Sequence, residues 1–526
     1  MKINRLKILS PFRGLKENYE VVFNNLPNTE RIEPLCFVGL NGSGKSNVLE
    51  AISECFYYLE AYSEEQSKKE LKKYRSGFGF DLEFELNPAY QDLQISWDSL
   101  GDFTWSGKGN LIIQYIKEKD QLPKMVLRDG ESSVTIMDRQ VFILPNRIIG
   151  YSSGMNELIS NPFVKVDFFY LEKLREQSKG LDTRSLQLNR MFLMDYEANK
   201  IITVCSQIYK RDNNTDILNE EINVEDLHSF SIYLRTQRPN YVSFQFPSSI
   251  LLIIEKLKNC ATSIENINRF KLKLDFRIDA NSREAFFDNW KTAFELFRDL
   301  YQLRLMNLFL MPDRQIRKAR DIEQGNNLSA WLNMTTPVQQ IFFMDDICFT
   351  GTNNEKIIYK QLSDGEHQLL HALSGIMLLE ARNSIFILDE PDTHFNPEWR
   401  SRFIYLLNEV LKERIKEQLV FVTSHSPFVI SDCKAENVFF FKKDEDVKTA
   451  KDIEFNTYGA SIDNILKNFF GNKNLISKRS LDDLKKVIEE GSVQELRSAI
   501  EEFGESSEKQ FLFRKLYEKT NPENAG

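Results

Sequence analysis

Four clusters of residues in this chain have types and spacings suited to phosphate chemistry. Gly39-Leu40-Asn41-Gly42-Ser43-Gly44-Lys45-Ser46 is a glycine-rich loop. Its glycines let the backbone wrap closely around an anion, so that loop N–H groups and the N-terminus of the following helix face phosphate oxygens. Lys45 then reaches β- and γ-phosphates and Ser46 offers a hydroxyl to Mg²⁺. Gly39, Asn41, Gly42, Ser43, Gly44, Lys45, Ser46 and Asn47 are the expected nucleotide-binding set. Ser384-Ile385-Phe386-Ile387-Leu388-Asp389-Glu390 is an apolar run that ends in two carboxylates. Asp389 suits a metal shell, and Glu390 suits a general base acting on the attacking water. Val420-Phe421-Val422-Thr423 leads into Ser424-His425-Ser426-Pro427, which puts the imidazole of His425 at a strand end, within reach of a γ-phosphate. Leu362-Ser363-Asp364-Gly365-Glu366 opens a helical pattern over Gln368 to Ala381, where a helix dipole favours negative charge. A phosphate loop alone says that a nucleotide is bound. With the Leu362–Glu366 turn and the Asp389-Glu390 pair far downstream, two copies are expected to clamp ATP between them, Ser363 and Gly365 of one completing the site of the other, with Glu366 in the same expected nucleotide-binding set.

The elements that position these groups read as follows. Residues 2–9 alternate as an opening strand, Leu35-Cys36-Phe37-Val38 is a buried strand entering the loop, and Asn47 to about Tyr62 is a helix. Glu64 to Arg75 is a charged, solvated connector. From Phe78 to about Val141 short alternating runs (Phe80–Leu86, Leu93–Trp97, Leu111–Ile116, Lys124–Leu127, Ser133–Met137) predict an antiparallel sheet, after which Val141–Leu144 and Arg147–Ser152 are expected to rejoin the core. Residues 162 to 335 read as mostly helical, strongest at Asn189–Tyr209, Pro247–Lys258 and Arg283–Leu310. Residues 338–360 read as two strands, and Ser480 to Lys519 as two short helices broken at Gly491-Ser492. The organisation expected is therefore 1–160, the first part of the core with a β lobe; 161–337, an inserted, mainly helical lobe; 338–465, the second part of the core; and 466–526, a helical tail.

Bulk properties bound the possibilities. At 526 residues the chain exceeds the roughly 250–300 at which one core stops growing, so several lobes are expected. Apolar residues at 42%, with 40 phenylalanines, supply ample core and exclude general disorder. A net charge of -9 gives no overall basic character, so nucleic acid is expected to be met through a complex rather than gripped by the isolated chain. Six cysteines lie far apart with no CxxC pair, which suits free thiols in a reducing compartment. No run approaches the ~18 apolar residues of a membrane span, so a cytoplasmic location and no membrane partner are expected. His367 and His371 lie four apart on a helix with no third ligand in view, and read as a polar helix face rather than a metal site.

Together these motifs resemble the ABC-type ATPase set of the SMC, RecF and OLD group, in which the signature turn lies far from the phosphate loop. Residue by residue, Lys45 and Ser46 match Walker A, Ser363 to Glu366 the signature, Asp389 and Glu390 Walker B, Asp392 the D-loop and His425 the switch histidine. Phe12-Arg13-Gly14 is similar to the N-terminal phenylalanine-arginine element that approaches nucleotide in that group, which adds Arg13 to the expected set. Gln140 is the nearest candidate for a Q-loop glutamine, a surface glutamine being the alternative. Asp364 departs from LSGGQ and suits the LSDGE form of defence-associated ATPases. OLD-type relatives append a metal-dependent nuclease, but Asp444-Glu445-Asp446 reads as a turn between two final strands, so no nuclease is expected within the chain.

The layout is similar to ATPase subunits of Septu-type antiphage systems, including their retron-associated form. That resemblance implies an α/β, ABC-type P-loop ATPase head, ATP and Mg²⁺ as cofactors, and catalytic roles for Lys45, Glu390 and His425, with Ser46 and Asp389 as metal ligands. It also implies a homodimer or higher homo-oligomer, an HNH nuclease subunit in trans and, in retron systems, a reverse transcriptase with RNA-linked DNA. Two alternatives stay open: a nucleotide-gated scaffold with little turnover, and a DNA-repair clamp of the RecF kind. The trigger, and whether ATP restrains or releases the nuclease, are not legible.

Overall fold

The computed structural model describes residues 1–23, 33–65, 77–92, 95, 97–100, 103–153, 157–178, 190–210, 215–235, 246–268, 270–310, 340–379, 381–411, 418–443, 445–471 and 476–521. Two compact units divide them, Met1–Tyr458 and Gly459–Gly526. Most of the expected connector from Glu64 to Arg75, and residues 154–156, lie outside the described residues.

Unbroken apolar runs make the central sheet of the first unit. Leu35–Gly39, Ser384–Asp389 and Val438–Phe441 are buried along their whole length, as strands covered on both faces must be. Among the described residues the sheet runs Lys448–Thr449, Val438–Phe441, Leu35–Gly39, Gln418–Thr423, Ser384–Asp389, Arg147–Ser152, Met191–Met194. Every pairing is parallel except the outermost, between Val438–Phe441 and Lys448–Thr449. Phenylalanines staple one region: Phe37 meets Phe421 at 5.5 Å and Phe441 at 4.8 Å, and Phe23 stacks on Phe37 at 6.3 Å. Each such ring pair contributes about 0.5–1.5 kcal/mol beyond its buried area. Parallel pairing puts the ends of Leu35–Gly39, Gln418–Thr423 and Ser384–Asp389 at one edge, with Phe37, Thr423 and Asp389 in register. Ligands of open α/β sheets bind at that carboxyl edge.

A second sheet is antiparallel: Glu20–Val22, Lys2–Ile8, Phe80–Leu86, Leu111–Lys117, Lys124–Asp129, Ser132–Ile136 in spatial order. Phe80–Leu86 alternates strictly between buried and half-buried, as its sequence predicts. One expected strand does not form as read: Trp97–Leu100 is a 3-10 turn, and residues 93, 94 and 96 lie outside the described residues.

The inserted segment is helical in large part, with Glu157–Ser178, Tyr196–Ile208, Ser248–Cys260, Ala280–Asn289 and Ala293–Leu305. It also carries strands the pattern concealed. Ser263–Asn268, Lys271–Arg277 and Val224–Arg235 join Phe342–Gly351 and Lys356–Ile358 in an antiparallel sheet. The expected helix Asn189–Tyr209 begins only at Tyr196, where Asp195 caps it by accepting from the Ala198 amide, because Met191–Met194 pairs with Ile148–Tyr151 instead. The expected helix Arg283–Leu310 is broken at Trp290 to Thr292, where Thr292 caps a new helix and the Trp290 indole donates to Asp299 at 2.7 Å.

The second unit is a small helical bundle of Ile462–Phe470, Lys478–Glu490, Val493–Glu502 and Lys509–Thr520. The break at Gly491-Ser492 is where expected: Ser492 and Glu495 form a capping box. A third helix follows within the stretch read as two, because Leu512 is needed to close the core made by Leu484, Leu496 and Ala499.

Candidate nucleotide site

The phosphate loop is shaped by glycines that no other residue replaces without strain. Gly39 has φ 147°, and a Cβ there would lie 2.3 Å from the Phe441 carbonyl oxygen; Gly44 starts the helix in the left-handed region with φ 103°. The helix they introduce, Lys45–Glu64, buries Lys45 at its first turn. The Lys45 ammonium donates to the carbonyls of Gly39 at 2.8 Å and Leu40 at 3.2 Å. Burial pulls its pKa down, while the charges of Glu390 and Asp389 pull it back up.

The two carboxylates stand opposite. Asp389 Oδ1 lies 3.5 Å from the Ser46 hydroxyl and accepts a short hydrogen bond, 2.6 Å, from Thr423. Glu390 has φ 50°, a left-handed conformation that costs a non-glycine residue on the order of 1 kcal/mol or more. Its amide donates to the Thr423 hydroxyl at 2.9 Å, and its Oε1 lies 3.4 Å from His425 Nε2. That histidine contact holds the Glu390 carboxyl below the usual carboxylate range against the effect of burial, with the Lys45 charge helping. Sheet and loops thus bring Lys45, Ser46, Asp389, Glu390 and His425 together.

Other expected residues stand differently. The Arg13 guanidinium pairs with buried Glu50 at 3.1 Å, behind the loop helix, while its carbonyl accepts from Asn47 at 2.7 Å. Arg13 is itself left-handed, with φ 48°. Asp392 turns inward: its carboxylate accepts from Ser424 at 2.9 Å, and burial raises its pKa. Ser363 and Glu366 bond to each other, Ser363 N–H and Oγ donating to Glu366 Oε2 at 2.7 and 2.8 Å, which makes a capping box at the start of the signature helix Asp364–Leu379. Among the described residues those bonds leave Ser363 exposed at the surface, and Gly365 is buried against the turn after Glu390. Gln140 lies in a turn, Arg139–Val141, and its side chain is outside the described residues.

The histidine pair is not the polar face expected. His371 is buried, with its Nε2 2.5 Å from the Tyr359 hydroxyl, and desolvation pushes its pKa down to about 3. His367 rests edge-on against the Tyr359 ring, 4.5 Å between centroids. Sequence reasoning did not single out Thr423, which the structure places between Asp389 and the Glu390 amide. The signal was a hydroxyl closing an otherwise apolar strand, but its value depends on which strand end lies beside it.

The residues present fit a magnesium nucleotide. Ser46 and Asp389 offer the hard oxygen donors Mg²⁺ prefers. The Ser43 Oγ in the loop is shielded from solvent and has no hydrogen-bond partner among the described residues, as an atom meant for a phosphate oxygen is left.

Comparison with known proteins gives the family. The AAA ATPase domain family matches residues 1–430. The chain belongs to that family. It carries an ATPase domain. Over 192 residues it is 24% identical to the Septu protein PtuA of Bacillus thuringiensis, a match covering 33% of this chain and 45% of that one. The chain thus spans less than half the length of this curated relative. Among solved structures, the Smc head domain of Pyrococcus furiosus is 12% identical, covering 85% of this chain and 96% of the other, with TM-score 0.30. The recombination mediator protein RecF is 12% identical, covering 85% and 97%, with TM-score 0.31. No helix among the described residues is long and apolar enough to cross a membrane.

Proposed function

We propose that the chain hydrolyses ATP with Mg²⁺ as the switch subunit of an antiphage defence system, two copies closing around the nucleotides and so controlling a nuclease supplied in trans. The observation that carries the hydrolytic part is the Ser46–Asp389–Thr423–Glu390–His425 network at the sheet edge, facing a buried loop lysine. When bound, the magnesium nucleotide supplies an electrophilic terminal phosphorus and the counter-charge for its oxygens. Lys45 and the loop amides bind the phosphates, and Ser46 with Asp389 holds the metal. Glu390, kept ionised by His425, takes the proton of the attacking water.

Closure in pairs is supported by the signature turn. Ser363 stands exposed at the head of a capped helix, which suits it for a neighbour's nucleotide. Similarity to PtuA supports the defence role, and the resemblance in sequence implies an HNH nuclease, with a reverse transcriptase and its RNA-linked DNA in retron systems, as partners.

Phosphate release by purified protein tests the reading. Lys45→Ala is expected to abolish nucleotide binding, and Glu390→Gln to bind ATP, keep only a small residual turnover and double the mass seen by light scattering. Unchanged turnover in Glu390→Gln would refute the base assignment. A monomeric mass with saturating ATP would refute paired closure.

A further inference from the structure

The signature helix makes a second connection that its motif does not announce. Gln368, two residues beyond the signature turn, is 3% exposed. A buried amide is costly unless both its ends are bonded. Its Nε2 donates to the Glu390 carbonyl at 3.3 Å and its Oε1 accepts from the His394 amide at 2.7 Å. Only this orientation serves, because a carbonyl demands a donor and an N–H demands an acceptor. The side chain therefore braces the two ends of the turn from Glu390 to His394.

That turn is the one whose geometry matters. Glu390 sits in the left-handed region, and such a conformation persists only where the surroundings over-determine it. Its carbonyl also accepts from Thr393 at 2.9 Å, a bond internal to the turn, and its amide is held by Thr423 from the sheet. The bond from Gln368 is the tie that comes from the signature helix. Gly365 shows how closely the two elements approach: a Cβ there would lie 2.9 Å from the His394 carbonyl oxygen and 3.2 Å from the Trp399 ring.

We propose that Gln368 is a positioning residue for Glu390, through which the helix headed by the signature turn sets the general base of its own chain. The proposal rests on the reading of Glu390 as base given above. Gln368 touches no reacting atom; it acts by fixing the backbone from which the Glu390 carboxylate projects.

Two variants separate the parts. Gln368→Met keeps the shape and removes both bonds, whereas Gln368→Glu keeps the acceptor for His394 and removes the donor to Glu390. Steady-state phosphate release, binding of a fluorescent ATP analogue and thermal melting are measured on each full-length variant. Both are expected to lose about tenfold or more in kcat while nucleotide Kd stays within about twofold, the pattern of an interaction that matters only in the transition state. In a Glu390→Gln background, Gln368→Met is expected to change residual turnover by less than about twofold, since the group it positions is gone.

Wild-type kcat in Gln368→Glu would overturn the proposal. So would parallel losses of kcat, nucleotide affinity and melting temperature in Gln368→Met, which mark ordinary packing, or a full tenfold loss persisting without Glu390. Unchanged turnover in Glu390→Gln alone would instead remove the base assignment beneath it, whatever the Gln368 variants do.

Discussion

Replacing Thr423 by valine isolates one hydroxyl at the centre of the site. Its Oγ1 donates to Asp389 at 2.6 Å and accepts from the Glu390 amide at 2.9 Å, in a fully buried position. Valine preserves the shape, and the Glu390 amide retains the Thr423 carbonyl at 3.2 Å, so the loss falls mainly on the carboxylate. A hydrogen bond to a charged group is worth about 1.5–3 kcal/mol. By a separate route, outer partners of metal-binding carboxylates are worth about 10–100-fold in metal affinity or activity, or roughly 1.4–2.7 kcal/mol. The two estimates agree. The expected outcome is a rise of about 10–100-fold in the Mg²⁺ concentration that half-saturates ATP turnover, with Thr423→Ser close to wild type. Phosphate release titrated with MgCl₂ at fixed ATP reads it directly. A valine variant with unaltered Mg²⁺ dependence, or a serine variant as impaired as the valine, would show that this hydroxyl does not orient Asp389.

Two further predictions concern pH. The Glu390 carboxyl is held below the usual range chiefly by His425, so it stays ionised, and able to act as a base, as pH falls through the ordinary carboxylate region. His425→Asn is therefore expected to move the acid limb of the kcat profile to higher pH, and an acid limb that does not move would discount the contact. Glu60 is buried, bonded to the Tyr170 hydroxyl at 2.8 Å, and raised by desolvation to about 7 from 4.5. A folded pKa above the unfolded one means that its contribution is fully present below the unfolded value and lost as pH rises through about 7. That amounts to roughly 3 kcal/mol between the two limits. Glu60→Gln, which keeps an acceptor for Tyr170, is expected to melt higher than wild type at pH 8 and about equally at pH 5; urea midpoints at the two values decide it.

Much of the sheet edge was legible because its strands are buried on both faces and so are written as continuous apolar runs that stop at the functional residue. Val420–Thr423 and Ser384–Asp389 are of this kind. The segment expected to be mainly helical was less legible for a specific reason. Val224–Arg235 pairs with Phe342–Gly351 through three register shifts, near residues 225, 228 and 230. The first two shifts put an extra residue in this strand and the third puts one in its partner, and the buried Val224, Leu227 and Phe230 fall three apart, the spacing of a helix. Met191–Met194 failed differently: four apolar residues carry no period, and only the adjacent strand Arg147–Ser152, distant in sequence, makes them extended.

The site divides along the same line. Lys45, Ser46, Asp389 and Glu390 could be singled out as candidates from sequence because each stands at a local turn or strand end. Thr423 and Gln368 could not, since each is bonded to a residue in a different element. A hydroxyl at the end of one parallel strand reaches a carboxylate at the end of the next only when the two are neighbours in register, which the order Leu35–Gly39, Gln418–Thr423, Ser384–Asp389 supplies. That order also explains why His425 meets Glu390. The strand leading to His425 lies between the loop strand and the carboxylate strand, so whatever follows Thr423 must pass between Lys45 and Glu390. His425 is therefore placed by topology, and a histidine at the same distance along the chain but on an outer strand would have no such access.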